Sequence, residues 1–222
     1  MIRIKELHFC YRPGAFAFQV ADLHIAPGEK VAFIGPSGAG KTTLISLIAG
    51  ILTPQRGTIL VNGIDLAGAT DRHRRDFRIA RIGFVFQEFE LLDYLCVRDN
   101  ILLPYYLNNT LQLTSAARRH ATELATTMGL QDKLSRHPRT LSHGERQRVA
   151  ICRALSVAPR LLIADEPTGN LDPDKARASV ALLRNEVDRR GATLLMVTHN
   201  HTLLEDFDRV IDITSFAGRE PS

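Results

Sequence analysis

The chain has 222 residues, 45% of them hydrophobic and 23% charged, which is ordinary for one globular domain with a sizeable core. The formal net charge of +4 is dispersed along the sequence, so it argues neither for nucleic acid nor for an anionic membrane surface. The longest apolar run, residues 44–52, is too short for a bilayer span. Cys10, Cys96 and Cys152 form no C-x-x-C pair and are expected to be reduced, buried apolar residues.

The first part of the chain is predicted to form β-strands. Apolar and polar side chains alternate on either side of the turn-forming Arg12-Pro13-Gly14, which favours an antiparallel β layer. A second turn, at residues 27–29, leads into a short apolar strand. The strands predicted for this part are residues 2–9, 16–25, 31–34 and 58–61.

A glycine-rich loop follows the strand at residues 31–34 and precedes the helix-forming run at 43–48. It matches G-x-x-x-x-G-K-[ST], a pattern whose glycines let successive backbone N–H groups point at one phosphate. Lys41 could reach the β- and γ-phosphates, and the Thr42 hydroxyl could bind Mg²⁺. A turn that matches by chance is the alternative. The predicted nucleotide-binding residues are Gly35, Pro36, Ser37, Gly38, Ala39, Gly40, Lys41, Thr42 and Thr43.

The remainder of the chain alternates helical and strand-like segments. Helices are expected at 70–80, through much of 90–158, and over about 17 residues between the last two buried strands. Apolar strands bounded by helices favour a parallel sheet, since both of their faces must be covered. No regular structure is expected after Phe216. The strands predicted here are residues 82–86, 161–164, 193–197 and 209–213.

Two acids end the strand at residues 161–164. Asp165 could hold Mg²⁺ directly or through water, and Glu166 could polarise an attacking water. Acids often end strands, so this pair alone is equally consistent with a purely structural role. Together with the glycine loop, however, it indicates a P-loop protein that hydrolyses a nucleotide.

Three further features have both a functional and a structural interpretation. Ser142, at a glycine-containing helix start, could bind an anion, or it could be an N-cap completed by Glu145 as a capping box. Gln87 and His199 each follow a strand, and ligands collect at strand ends in α/β sheets. Gln87 could contact Mg²⁺ or the attacking water, and His199 could hydrogen-bond the γ-phosphate. A lone glutamine or histidine is more often structural.

These elements, in this order, resemble the ATP-binding-cassette ATPases over nearly the whole chain. Residues 83–87, 100–104 and 164–172 look most like the branch of lipoprotein-releasing and macrolide-exporter ATPases. The resemblance implies an α/β fold: a P-loop NTPase core with a mostly parallel sheet, an N-terminal antiparallel β layer and an α-helical subdomain. It places the core at about 1–87 and 159–216 and the helical subdomain at about 88–158.

The resemblance also implies a head-to-tail homodimer that encloses two ATP molecules with Mg²⁺. Ser142 and Gly144, with Glu145 in the same motif, would face the γ-phosphate held by Lys41 of the other copy. Asp172 would lie at the dimer seam. Tyr11 matches the aromatic residue that stacks on adenine; a core tyrosine is the alternative. The chain departs from the family at His143, where a glycine is usual, and hydrolysis is still expected.

The family docks its separate membrane subunits near residues 88–108, which implies a peripheral protein on the cytoplasmic face of the inner membrane. Apolar side chains such as Phe89 and Tyr94 could instead be core. No nucleic-acid partner is expected. A DNA-repair ATPase is disfavoured because residues 43–140 lack sustained heptads. A translation factor would resemble two cassettes, and this chain resembles one. Export and force transmission to periplasmic enzymes both remain open.

Overall fold

A computed structural model describes residues 1–12, 16–169 and 173–219. The chain forms two compact units. The first consists of Met1–Arg78 together with Thr193–Ser222, and the second of Ile79–Ala192. The second unit is thus inserted into the sequence of the first.

The first unit contains an antiparallel sheet near the amino terminus. Its strands are β1 (Ile2–Cys10), β2 (Phe16–Ile25), β4 (Arg56–Val61), β5 (Ile64–Asp65) and β10 (Ala217–Arg219). They are ordered β10-β2-β1-β4-β5. Alternate residues at the start of β1 are buried, as the period-two pattern predicts, and the alternation is interrupted at Glu6, where φ is 50°.

Three parallel strands form the other sheet element of the first unit. β3 (Lys30–Ile34) lies between β8 (Thr193–Val197) and β9 (Arg209–Asp212). All five residues of β8 are buried, which explains its continuous apolar sequence. Helix α1 (Lys41–Ile48) follows β3, and helix α2 (Asp71–Arg81) follows β5.

The second unit is mainly helical. Its strands β6 (Ile82–Val85) and β7 (Leu161–Asp165) pair in parallel, and β7 is buried along its whole length. The C-terminal half of α5 (His143–Leu155) packs on β6 so closely that a Cβ at Gly83 would overlap the carbonyl oxygen of Ala154. The helices of this unit are α3 (Val97–Leu107), α4 (Ser115–Thr127), α5 (His143–Leu155) and α6 (Pro173–Arg190).

The predicted fold class is confirmed, with local corrections. The strand expected at 209–213 ends at Asp212, because Ile213 begins a 3₁₀ helix. The strand expected at 82–86 ends at Val85, because the chain turns at 87–90. The expectation of no regular structure after Phe216 is wrong, since β10 pairs with β2. Cys96 is only half-buried and its thiol donates to Asp99 Oδ2 at 3.1 Å, whereas Cys10 and Cys152 are buried as expected.

Candidate nucleotide site

The phosphate loop connects β3 to α1, and its shape comes from the backbone. Gly35, Gly38 and Gly40 have φ angles of 150°, 81° and 94°, in the region that favours glycine. Gly40 is the N-cap residue of α1 and has no side chain, so the first N–H groups of the helix face the loop without a side-chain cap. These dipoles favour a negatively charged group at this end of α1.

The ammonium group of Lys41 lies inside this loop. Lys41 Nζ donates to the carbonyl oxygens of Gly35 at 2.7 Å and Pro36 at 3.1 Å, and the residue is only 8% exposed. Thr42, the next residue, is exposed at the start of the helix. The loop therefore combines a buried cation, a helix N-terminus and an accessible hydroxyl, which suits a phosphate chain with its cation.

Tyr11 lies immediately after β1 and is not a core residue, because 58% of it is exposed. Its hydroxyl is 3.0 Å from Thr43 Oγ1 in the first turn of α1, and the ring of Phe9 packs edge-on at 4.9 Å. The structure thus places an exposed aromatic ring beside the phosphate loop. This arrangement is suited to stacking on a base.

His199 follows β8, and the phosphate loop follows β3. The two strands are parallel, with Phe33 paired to Val197, and Thr198 N donates to Phe33 O at 3.1 Å. Their carboxyl ends therefore lie at the same edge, and the exposed His199 leaves the sheet there together with Gly35.

Asp165 and Gln87 lie at the carboxyl ends of two paired parallel strands in the second unit, as Gly35 and His199 do in the first. Asp165 is the last residue of β7 and is 9% exposed, whereas Gln87 is exposed two residues beyond β6. Because Val85 pairs with Ala164 in parallel register, both leave the same edge of the pair. A carboxylate and an amide oxygen at one edge are ligands that Mg²⁺ accepts.

Glu166 adopts a left-handed conformation with φ 43°, which is uncommon for a residue with a side chain. Gly169 N donates to Glu166 O at 3.1 Å and closes the turn. Gln147 of α5 also holds this segment: its Nε2 donates to Pro167 O at 2.7 Å, and its Oε1 accepts from Ser179 at 3.0 Å. Sequence reasoning did not identify Gln147.

Ser142 and Glu145 form a complete capping box at the start of α5. Ser142 Oγ accepts from Glu145 N at 3.3 Å, and Glu145 Oε2 accepts from Ser142 N at 2.7 Å. Lys133 Nζ lies 3.2 Å from Glu145 Oε1. The Ser142 N–H bond, with Lys133, lowers the pKa of Glu145 from 4.5 to about 2. The cap leaves the serine hydroxyl hydrogen available to donate, so it is compatible with an anion site.

The segment after Gln87 is held by α5. Phe89 and Glu90 both have positive φ, 63° and 48°, and their carbonyl oxygens accept bonds from the two guanidinium NH₂ groups of the buried Arg153. The ring of His143 packs edge-on against Phe89 at 4.9 Å. Phe89 is therefore core, whereas Tyr94 is 76% exposed. Arg153 was not anticipated because no local pattern marks it.

Asp172, predicted at the dimer seam, lies outside the described residues. Gly144 is half-buried, and an added Cβ would make only an ordinary contact, 3.7 Å from Arg148 Nη1. Among the described residues, no helix is both long enough and apolar enough to cross a membrane.

The sequence is similar to proteins of one large family. Residues 18–169 match the family described as ABC transporter. The lipoprotein-releasing system ATP-binding protein LolD of Hyphomonas neptunium is 41% identical over 206 residues, or 91% of this chain and 90% of that protein. The macrolide export ATP-binding/permease protein MacB of Rhodopirellula baltica is 40% identical over 214 residues, or 95% of this chain and 31% of that protein.

A solved structure also matches along its whole length. The dimeric post-hydrolysis state of the ATP-binding cassette MJ0796, bound to ADP and Pi, has a TM-score of 0.85 at 28% identity and covers 100% of both chains. The same cassette in a second dimeric structure matches with the same TM-score. The similarity therefore extends through both units of the chain.

Proposed function

Because this chain belongs to the ABC transporter family and is an ATPase subunit of it, we propose that it hydrolyses ATP to ADP and phosphate and couples this reaction to separate membrane subunits. The observation that carries the proposal is the buried ammonium of Lys41 within a glycine loop that opens onto an uncapped helix N-terminus. Such a loop binds a triphosphate through fixed backbone dipoles and one point charge.

In the proposed reaction, water attacks the γ-phosphoryl group in line with the leaving oxygen. Glu166 orients the water or takes its proton, and His199 donates a hydrogen bond to the γ-phosphate. Thr42, Asp165 and Gln87 supply hydroxyl, carboxylate and amide oxygens for Mg²⁺, which when bound neutralises phosphate charge. The catalytic effect comes mainly from positioning and charge stabilisation, since phosphoryl transfer needs little covalent help from protein.

We assign the signature residues to the partner's nucleotide in a homodimer. Ser142 and Gly144 of one copy would complete the γ-phosphate site of Lys41 in the other, with Glu145 holding the serine through the capping box. Asp172 would connect the two sites. The dimeric cassette with ADP and Pi supports this arrangement. In this proposal residues 1–87 and 159–216 form the ATP-binding core, and 88–158 form a helical subdomain.

The membrane partners are proposed to be separate integral subunits that contact residues 88–108 from the membrane side, which makes this chain peripheral to the cytoplasmic face of the inner membrane. The exposed Tyr94 is suited to such a contact. The relatives named for lipoprotein release and macrolide export support a role in export or release. Force transmission to periplasmic enzymes uses the same cycle of dimer closure and opening.

Substitution of the proposed general base tests the reaction. Glu166→Gln is expected to lower ATP turnover by roughly 10²–10⁴-fold while ATP still binds, because the amide cannot accept the proton of water. Phosphate release and nucleotide affinity are measured on the same preparation. Glu205→Gln, at an exposed glutamate of the first unit, is the matched control and keeps wild-type turnover. Turnover of Glu166→Gln equal to that of the control would exclude Glu166 as the base.

A further inference from the structure

At the end of β1, the side-chain amide of Gln55 takes the place that the backbone of a neighbouring strand would occupy. Cys10 N donates to Gln55 Oε1 at 2.9 Å, and Gln55 Nε2 donates to Cys10 O at 2.7 Å. Gln55 N donates to His8 O at 2.9 Å, and the next residue, Arg56, begins β4 and pairs with His8. The amide therefore extends the β1–β4 ladder by one step and satisfies both backbone groups of Cys10.

The backbone around Gln55 is fixed against β1. Gly57 has φ 92°, and a Cβ at this position would overlap the carbonyl oxygen of Glu6. The register between β1 and β4 shifts between Lys5 and His8, so the chain approaches β1 at an irregularity in the ladder. This close approach places Gln55 opposite Cys10.

Cys10 is the residue directly before Tyr11. On its other side β1 pairs with β2, where Cys10 faces Ala17, and both polar backbone groups of Cys10 turn toward Gln55. Tyr11 lies one residue beyond this anchor, with its hydroxyl near Thr43 and its ring largely exposed. The direction in which its ring leaves the strand depends on the orientation of the Cys10 peptide groups.

We propose that Gln55 is a positioning residue for Tyr11 and thereby sets affinity for the base of the bound nucleotide. This inference rests on the proposed function, since it assumes that the exposed Tyr11 ring stacks on adenine. Gln55 holds the backbone before the ring, so the ring is ordered before the nucleotide arrives and less conformational entropy is lost on binding. Glutamate has the same shape as glutamine, but as a carboxylate it cannot donate to Cys10 O.

The test compares a nucleotide with a base-free anion. Calorimetry measures Mg-ATP and Mg-tripolyphosphate binding to the full chain, its Gln55→Ala, Gln55→Glu and Tyr11→Ala variants, and the Gln55→Ala/Tyr11→Ala double variant. Gln19→Ala is the matched control, because Gln19 is an exposed glutamine of β2 in the same sheet. Thermal unfolding of each variant checks that it is folded.

Loss of base stacking is worth about 1–3 kcal/mol, so Tyr11→Ala is expected to weaken ATP binding by roughly 5–150-fold. Both Gln55 variants are expected to weaken ATP binding by about 3–10-fold and to leave tripolyphosphate binding unchanged. The double variant is expected to bind ATP no more weakly than Tyr11→Ala alone, because Gln55 acts through that ring.

Each contrary result has a distinct meaning. If Tyr11→Ala weakens ATP binding and folded Gln55→Glu does not, the positioning role is wrong and the proposed function stands. An equal loss of ATP and tripolyphosphate affinity in the Gln55 variants also overturns it, because the effect would then reach the phosphate loop. Additive losses in the double variant would separate Gln55 from Tyr11 and contradict the inference. A wild-type chain that binds neither ligand would refute the proposed function itself.

Discussion

The phosphate loop and the start of α5 are both expected to contact phosphate, and they are built in different ways. Glycines with positive φ shape the loop, and the Lys41 ammonium donates to carbonyls of the loop itself. At the start of α5, side chains make the structure: Glu145 caps Ser142, and Lys133 holds Glu145. The phosphate loop is therefore specified mainly by where its glycines stand, whereas the start of α5 depends on the chemistry of three side chains, those of Ser142, Glu145 and Lys133.

The largest difference in the free energy of unfolding is expected between the variants Arg153→Met and Lys41→Met. Arg153→Met leaves the carbonyls of Phe89 and Glu90 without their donors, so we expect unfolding free energy to decrease by about 2–4 kcal/mol. In Lys41→Met, water can reach the exposed Pro36 and half-buried Gly35, so a loss under about 1 kcal/mol is expected. Urea denaturation measures both. Equal losses would remove the distinction between the two regions.

A smaller, opposite pair of effects is expected from Gly38→Ala and Gly144→Ala. Gly38 has φ 81°, so alanine there should cost about 1 kcal/mol although no atom obstructs its Cβ. Gly144 lies in the first turn of α5 with room for a Cβ, so alanine should raise stability by about 0.5–1 kcal/mol.

ATP turnover distinguishes the effect of Gly144 on helix stability from its proposed contact with the partner's γ-phosphate. If a partner's γ-phosphate approaches this backbone closely, Gly144→Ala should lower ATP turnover about tenfold or more despite its greater stability. Unfolding temperature and phosphate release are measured on the same samples. A stabilised variant with full turnover would contradict the placement of Gly144 at the phosphate.

The smallest effect concerns pH. Burial, and then the charge of Arg190, lower the pKa of His120 on α4 below its ordinary value of 6.5. Arg190 Nη1 lies 3.4 Å from His120 Nε2, and it can donate only while that nitrogen is unprotonated. The unfolded chain therefore takes up the proton more readily, and stability should decrease as pH falls below about 6.5.

Substitution isolates this contribution from the other titrating groups. His120→Gln is expected to have a flatter stability profile than wild type between about pH 7 and pH 5. Urea denaturation at several pH values measures the difference. Parallel profiles for the two proteins would show that His120 contributes no pH dependence.

Much of the architecture follows from local patterns. The alternation in β1, the continuous apolar runs of β7 and β8, and the glycine spacing of the phosphate loop each require only neighbouring residues to interpret. For the same reason the acids at 165 and 166 were found at the end of β7. The left-handed φ of Glu166 was not predictable, because glutamate has no local preference for it.

The supporting residues could not be predicted from the sequence. Gln55 contacts Cys10 across 45 positions, and Arg153 contacts Glu90 across 63. The flanking sequence does not distinguish Gln55 or Arg153 from a solvated polar side chain. The partner of each residue comes close only when the chain folds. Tyr11 shows the same limit, since only its exposure in the folded chain argues against a core position, and its stacking on adenine stays a prediction.

The absence of a side chain at Gly83 has a mechanical consequence. With no room for a Cβ between β6 and the carbonyl oxygen of Ala154, the strand and α5 are in direct backbone contact at this point, without a movable side chain between them. Ser142 at the start of this helix and Gln87 after this strand are therefore expected to be displaced together. A displacement of the loop after β6 would then be transmitted to Ser142 through this backbone contact.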